Sequence, residues 1–221
     1  GRGGIRVPPA GFLAALCEVA HRHDMLVISD EIYCGTGRTG RFLAGDWDGM
    51  VPDAVCLGKA LGGGIPFSAC AMLPRMADAV HRAGAEAVHT ATFLGHPLGC
   101  VAGLAVLGEL RRLDATTAAW RIETTIRERA LRWQRDFSFV GPACGRGAMM
   151  GVPLQSDAAS AGGDKAFRVI SGALKTGVIL LSEGPAGDVL AFTPPLVISD
   201  QDLGFALDVV ERQLEAIRDR G

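Results

Sequence analysis

The sequence predicts an α/β fold: a mainly parallel sheet with helices, followed by a smaller α+β part. Three observations carry that expectation. The short apolar runs Met25-Leu26-Val27-Ile28-Ser29 and Ala54-Val55-Cys56-Leu57 show no polar alternation, which suits strands covered on both faces. Helix-period segments lie around them. Beyond residue 112 the texture changes to a segment rich in Arg, Glu and Thr, then to short strands and helices. The expected division is therefore 1–112 and 113–221.

Taken in order, Pro8-Pro9 followed by Phe12, Ala15, Leu16, Val19 and Ala20 marks an amphipathic helix with proline in its first turn. The first apolar run ends in Asp30-Glu31, the second at Gly58-Lys59. A third run, 68–72, follows a Gly-Gly-Gly-Ile-Pro loop, and Pro97 opens a helix through Leu110. Residues 116–136, with Trp120, Ile126 and Leu131 recurring, read as a long, partly exposed connecting helix. Strands are expected near 148–154, 178–181 and 189–193. A helix over 164–176 ends at Gly177, a residue suited to the left-handed turn after a helix. Ser199 with Asp202 three residues on caps the last helix, whose apolar face carries Leu203, Ala206, Val210, Leu214 and Ile217.

Composition narrows the function. The 221 residues are 48% hydrophobic and 21% charged, as in an ordinary globular protein, with a net charge of −2. Nucleic acid and anionic membrane are not expected partners, and no run of about 18 apolar residues spans a bilayer. The start, Gly1-Arg2-Gly3-Gly4, has neither an initiator Met nor a signal peptide's apolar core, and reads like the middle of a longer protein. Six widely spaced cysteines form no C-x-x-C pair, so the expectation is no zinc, no disulfide framework and buried free thiols in a reducing cytoplasm. His21 and His23 sit near a helix end, and His81, His89 and His96 lack carboxylates or thiols at metal-ligand spacing; no metal is expected.

Lys59 stands out because no other lysine precedes Lys165. It follows an apolar strand and precedes a glycine-rich loop, where lost hydration disfavours its charged form and favours a nucleophilic amine. A chance surface lysine at a strand end fits the spacing equally well. Asp30 ends the neighbouring run. Ligands of parallel sheets gather beyond the carboxyl ends of strands, so both groups can face one crevice. A carboxylate there stabilises a proton on a pyridine nitrogen; an Asp capping a turn is the ordinary alternative.

Two motifs fail on context. Gly35-Thr36-Gly37-Arg38-Thr39-Gly40 fits G-x-G-x-x-G, but the segment after it, 42–52, contains Gly45, Gly49 and Pro52 and has no helical period. Gly58-Lys59 lacks the Ser or Thr of a P-loop at residue 60, which is Ala.

Together, Gly1 to Gly4, the stretch from Ser29 to Gly40, Leu57 to Pro66, Thr90 to Leu98, and Phe192-Thr193-Pro194-Pro195-Leu196 resemble class III aminotransferases, which are fold-type-I pyridoxal-phosphate enzymes. The resemblance implies that 1–112 is the C-terminal part of the cofactor-binding large domain, with 113–221 a connecting helix and the small C-terminal domain. It implies pyridoxal 5'-phosphate as cofactor, held by Lys59 as a Schiff base, with Lys59 also shuttling a proton. Asp30 would pair with the pyridine nitrogen and Ile32 would pack on one ring face. Thr92 would bind the cofactor phosphate of a partner subunit, implying a homodimer with shared sites. Arg38 looks structural. The implied activity is transamination of an amino acid or ω-amine with a keto acid or aldehyde acceptor. A same-family aminomutase, racemase or decarboxylase is the nearest alternative, and a non-catalytic dimerisation module the next. The Gly-Arg-Thr-Gly turn tilts toward transaminases.

The departures from that pattern are specific. Tyr33 stands where many relatives have a Gln that contacts the cofactor's phenolic oxygen, and His96 replaces a more usual Asn. Ala191 stands where many α-amino-acid transaminases carry a carboxylate-gripping Arg; Ala makes no bidentate pair, which favours an ω-amine. Relatives are about twice as long. A missing upstream half would hold the phosphate-cradling turn, so the chain by itself is expected to be catalytically silent.

Overall fold

A computed structural model describes residues 1–81, 91–158 and 160–219; His89 and Thr90 lie outside them. The chain divides into two compact units, one formed by 8–115 and the other by 1–7 with 116–221.

In the first unit, helix α1 spans Phe12–Arg22. Pro8 and Pro9 lie just ahead of it rather than inside its first turn. The Asp48 carboxylate caps its start, accepting the backbone N–H of Gly11 and of Leu13. Strand β1 (Ile28–Asp30) pairs in parallel with β2 (Ala54–Leu57), and β2 pairs antiparallel with β3 (Ala69–Met72). The sheet is thus mixed, where a mainly parallel one was expected. Its strands are also more exposed than apolar runs suggest: Met25, Leu26 and Ile28 are exposed, as is all of β3. Helices α2 (Pro74–His81) and α3 (Pro97–Arg112) follow.

α3 positions the loop that follows β2. Its Gly99 and Gly103 are buried, and a Cβ at either would lie 2.8 or 2.9 Å from the ring of Phe67. The two glycines therefore form a flat seat for that ring. Phe67 in turn fixes the far end of the loop begun by Lys59.

The second unit is α+β, with helices on an open antiparallel sheet. Helix α4 (Ala115–Asp136) buries Ala119, Ile122, Ile126, Ala130 and Trp133. Trp120 and Leu131, read from sequence as part of its recurring apolar set, are exposed instead. The 3.6-residue period places them on the opposite side from Ile126. A four-stranded antiparallel sheet runs in the order β4 (Cys144–Arg146), β5 (Met149–Pro153), β7 (Val189–Phe192), β6 (Leu181–Glu183). β4 has no sequence counterpart: Cys-Gly-Arg carries neither alternation nor an apolar run. Helix α5 (Gly162–Lys175) ends as expected at Gly177, whose φ is 86°. Helix α6 (Asp200–Arg218) is capped by Ser199, which accepts the Asp202 N–H at 3.0 Å. Its buried face adds Leu207 and Val209 to Leu203, Val210, Leu214 and Ile217. The core joins Trp133, Phe137, Met150, Val152, Leu190 and Phe192 to these helices.

Candidate active site

Asp30 is the last residue of β1 and stands opposite Cys56 of β2; Lys59 lies two residues past the end of β2. Adjacent strands are about 4.8 Å apart, so two parallel strands deliver the carboxylate and the amine to the same edge of the sheet. Asp30 Oδ1 accepts the Ile32 N–H at 3.0 Å. Asp30 therefore caps the turn, and does so with one carboxylate oxygen of two. Capping and presentation to a ligand are compatible here.

Lys59 has φ 45°, a left-handed backbone that a side-chain-bearing residue adopts at a cost of about 1–3 kcal/mol. Gly58 precedes it in extended conformation, and Ile32 packs over Gly58: a Cβ there would lie 3.4 Å from Ile32 Cγ2. Tyr33 lies beneath the amine, with Lys59 Nζ 4.7 Å from its ring centroid. Lys59, Ile32, Tyr33 and Asp30 are thus gathered at one strand-end edge. Thr92 lies in the exposed turn before α3, beside the exposed Phe93.

The residue that sequence reasoning passed over is Glu31. It is buried at 2% exposure and accepts the N–H groups of Ala44 and Gly45, both at 2.9 Å. The Cys34 thiol points to it at 3.1 Å, and burial, then Glu31, pushes that thiol up to about 12. Glu31 stitches the 35–45 turn back onto the end of β1, fixing Asp30 and Ile32 on either side of itself. The signal for it was a charged residue closing an apolar run beside Asp30. That turn is a turn indeed: Thr36, Gly37 and Gly40 have φ of 58°, 82° and 88°, and no helix opens with its glycines. Arg38 within it is held below the usual guanidinium range by burial, as fits a packed structural residue.

A second buried carboxylate, Asp53, precedes β2. It accepts the Val27 N–H at 2.7 Å and meets His21 Nε2 at 3.0 Å. That backbone bond holds its pKa low, helped by His21 and Arg75. Asp53 ties α1 to the sheet from the residue before β2, at the opposite end of that strand from Lys59.

In the other unit Ala191 is buried at 3% exposure in β7, so no cation projects from that position. An apolar cavity of about 520 Å³ runs beside it between β6, β7 and α6. Lys165 is 1% exposed and donates to the carbonyls of Gln155 (3.1 Å) and Ser160 (2.8 Å), with Asp157 at 3.0 Å.

An aspartate at the end of one strand and a lysine just past the end of its parallel neighbour, with Ile32 against Gly58 and the Tyr33 ring near the amine, mark an α/β protein that gathers a carboxylate and an amine at one strand-end edge. The particular family follows from comparison. The model for class-III aminotransferases matches residues 1–214, and the chain belongs to that family. It is 36% identical over 215 residues to a 4-aminobutyrate aminotransferase of Mycobacterium leprae, covering 97% of this chain and 47% of that protein. Among solved structures it is similar to an amine transaminase from an uncultivated Pseudomonas species in its PLP-bound form. The TM-score there is 0.86 at 30% identity, over 98% of this chain and 50% of that one. A phospholyase from Arthrobacter gives a TM-score of 0.88 at 27% identity, over 97% of this chain and 51% of that one. The chain spans about half the length of the curated relatives it matches. Class-III aminotransferases depend on pyridoxal 5'-phosphate. The residues present fit that group: a carboxylate with an oxygen to spare, an amine just past a strand end, and Ile32 packed against Gly58 to offer an apolar face.

Proposed function

We propose that this chain supplies the lysine-bearing part of a pyridoxal-phosphate transaminase, exchanging nitrogen between an amine donor and a keto acid or aldehyde acceptor. The observation that carries this is the delivery of Asp30 and Lys59 to one edge by parallel β1 and β2, with Lys59 in a strained backbone over Tyr33.

When bound, pyridoxal phosphate supplies an aldehyde carbon for nitrogen and a ring that accepts an electron pair. The chain's residues do the rest. The Lys59 ε-amine holds the cofactor, then takes the proton from the substrate Cα and returns it at the cofactor's C4′. Asp30 holds a proton on the ring nitrogen, since an adjacent carboxylate favours the charged form. Ile32 covers one ring face and excludes water. The Tyr33 hydroxyl donates to the phenolic oxygen in place of the usual Gln. Thr92 binds the cofactor phosphate of a partner subunit in a homodimer. The 1–112 segment belongs to the large domain, the 113–221 segment to the connecting helix and small domain, and the protein works in the cytoplasm. Ala191 favours an ω-amine substrate over an α-amino acid, and the likeness to a 4-aminobutyrate aminotransferase supports that choice.

The test is borohydride reduction of the active protein carrying this chain, followed by tryptic mapping. A pyridoxyl group on the Lys59 peptide is expected; a label on Lys165 or Lys175, or none, overturns the reading. A second reading, elimination rather than nitrogen exchange on the same lysine, is favoured by the likeness to the phospholyase. Consumption of a keto acceptor separates the two.

A further inference from the structure

We propose that Cys56 and Cys70 form a redox-modification site: a reversible cross-strand disulfide that closes the loop carrying Lys59. The expectation of buried free thiols holds for Cys17 alone; Cys34, Cys56 and Cys144 are half-buried, and Cys70 and Cys100 are exposed. Two of these thiols are neighbours for a structural reason. β2 and β3 run antiparallel, and their register sets Cys56 directly opposite Cys70. Directly opposed residues share a face of the sheet, with Cβ atoms about 4.5–5.5 Å apart. Their Cα atoms are about 4.5 or 5.5 Å apart according to pair type, and both values fall within the roughly 4.4–6.8 Å that a disulfide spans. A disulfide holds its Cβ atoms about 3.5–4.5 Å apart, so the strands close by up to about 1 Å while side-chain rotation brings the sulfurs together.

Burial raises the Cys56 pKa, the Cys70 thiol raises it further, and the Asp30 carboxylate adds to this, so Cys56 attacks more readily as pH rises. Asp30, Cys56 and Cys70 form one row across the three strands. Exposure then sets the order of events with a small-molecule disulfide as oxidant. The exposed Cys70 thiolate attacks one sulfur of oxidised glutathione, forms a mixed disulfide and releases one glutathione thiolate. The Cys56 thiolate attacks the Cys70 sulfur and displaces the second. Two thiols are oxidised, one glutathione disulfide is reduced to two thiols, and two protons leave the protein. The bridge spans fifteen residues, 56 to 70, with Lys59 near one end and Phe67 near the other. Oxidation therefore clamps the segment that presents the amine, whatever reaction that amine serves.

The experiment treats the active protein carrying this chain with oxidised glutathione near pH 8, digests it with trypsin without reductant and weighs the products. Cys56 is the single cysteine of peptide 42–59, and Cys70 of peptide 60–75. The expected product is those two peptides joined and released by dithiothreitol. In Cys56→Ser, glutathione should instead remain on Cys70, at tenfold or more its level in the unsubstituted chain. Treated in urea, the chain should link its cysteines without preference. The proposal fails if glutathione stays on Cys70 of the unsubstituted chain without a linked pair. It fails equally if Cys56 joins another cysteine, or if the linkage pattern is the same in urea.

Discussion

The chain's first two lysines in sequence occupy opposite situations. Lys165 is sealed at the edge of the C-terminal core, its ammonium hydrogens directed at two carbonyls and a carboxylate. Lys59 stands exposed two residues past β2 in a left-handed backbone, its Nζ over a tyrosine ring. Burial alone thus does not make a lysine reactive. An amine whose donors are all spent on acceptors is a structural cross-brace. One that is exposed, contrary to the lost hydration expected of it, and that lies near an aromatic face with its donors unspent among the described residues is available to a carbonyl carbon. The two sheets repeat the contrast: β5 and β7 are buried along almost their whole length, whereas β3 is exposed throughout.

Exchanging the two lysines' fates is the sharpest way to break that comparison. Lys59→Ala should abolish turnover, by a factor of about 10³ or more, and remove the borohydride-reducible adduct while the melting temperature stays or rises. The left-handed backbone is no easier for Ala than for Lys, so Lys59→Gly should raise stability by about 1 kcal/mol and be equally inactive. Lys165→Met should do the reverse, keeping the adduct and costing about 2–3 kcal/mol by thermal or urea unfolding, because two carbonyls lose their donor. If Lys165→Met loses the adduct and Lys59→Ala keeps it, the roles are exchanged and the site is wrongly placed.

Asp30→Asn comes next in size. The amide oxygen still accepts the Ile32 N–H, so the turn and the fold should persist. Without a full negative charge, the ring nitrogen loses its proton's partner, and kcat should fall by about 10² or more. The cofactor's absorption band should shift with it. Unchanged kcat would reduce Asp30 to a turn cap.

Much of this contrast was legible in the sequence. The scarcity of lysine marked position 59, and two apolar runs ending in Asp30 and Lys59 placed both groups at strand ends. The capped α6 and the glycine after α5 were equally readable, because caps are local chemistry. What was not legible is non-local. The antiparallel entry of β3 depends on how the Gly62-Gly63-Gly64 loop turns, which no apolar pattern encodes. β4 is three residues whose strand character comes from pairing with β5. Glu31 closes an apolar run without any local sign of its role, and only the approach of the Ala44 and Gly45 amides makes it a buried hub. Trp120 and Leu131 lie off the buried face because the phase of α4 is set by Ala119, Ile122 and Ala130, of which two are too small to stand out in an apolar pattern.

The loop after β2 offers a smaller test. Gly103→Ala puts a methyl 2.9 Å from the Phe67 ring. Overpacking costs about 1–3 kcal/mol, and the better helix propensity of Ala returns up to about 1. A net loss of about 1–2 kcal/mol should appear in unfolding. Gly108→Ala on the same helix meets nothing within 4 Å and should stabilise slightly. Equal effects at both positions would mean that Phe67 does not hold the loop.

The smallest effect belongs to the end of the sheet remote from Lys59, and its sign is fixed. Asp53 is a buried carboxylate whose pKa is held below its ordinary value, chiefly by the Val27 N–H and then by His21 and Arg75. A group with a depressed folded pKa gives its full stabilisation above the unfolded value, near pH 4, and loses it as pH falls through the folded value. Asp53→Asn should therefore cost about 1 kcal/mol at pH 7 and progressively less below about pH 4, so that the two unfolding curves converge in acid. Curves that stay parallel down to about pH 2 would show that the Asp53 charge contributes nothing and that only its hydrogen-bond geometry ties α1 to the strand.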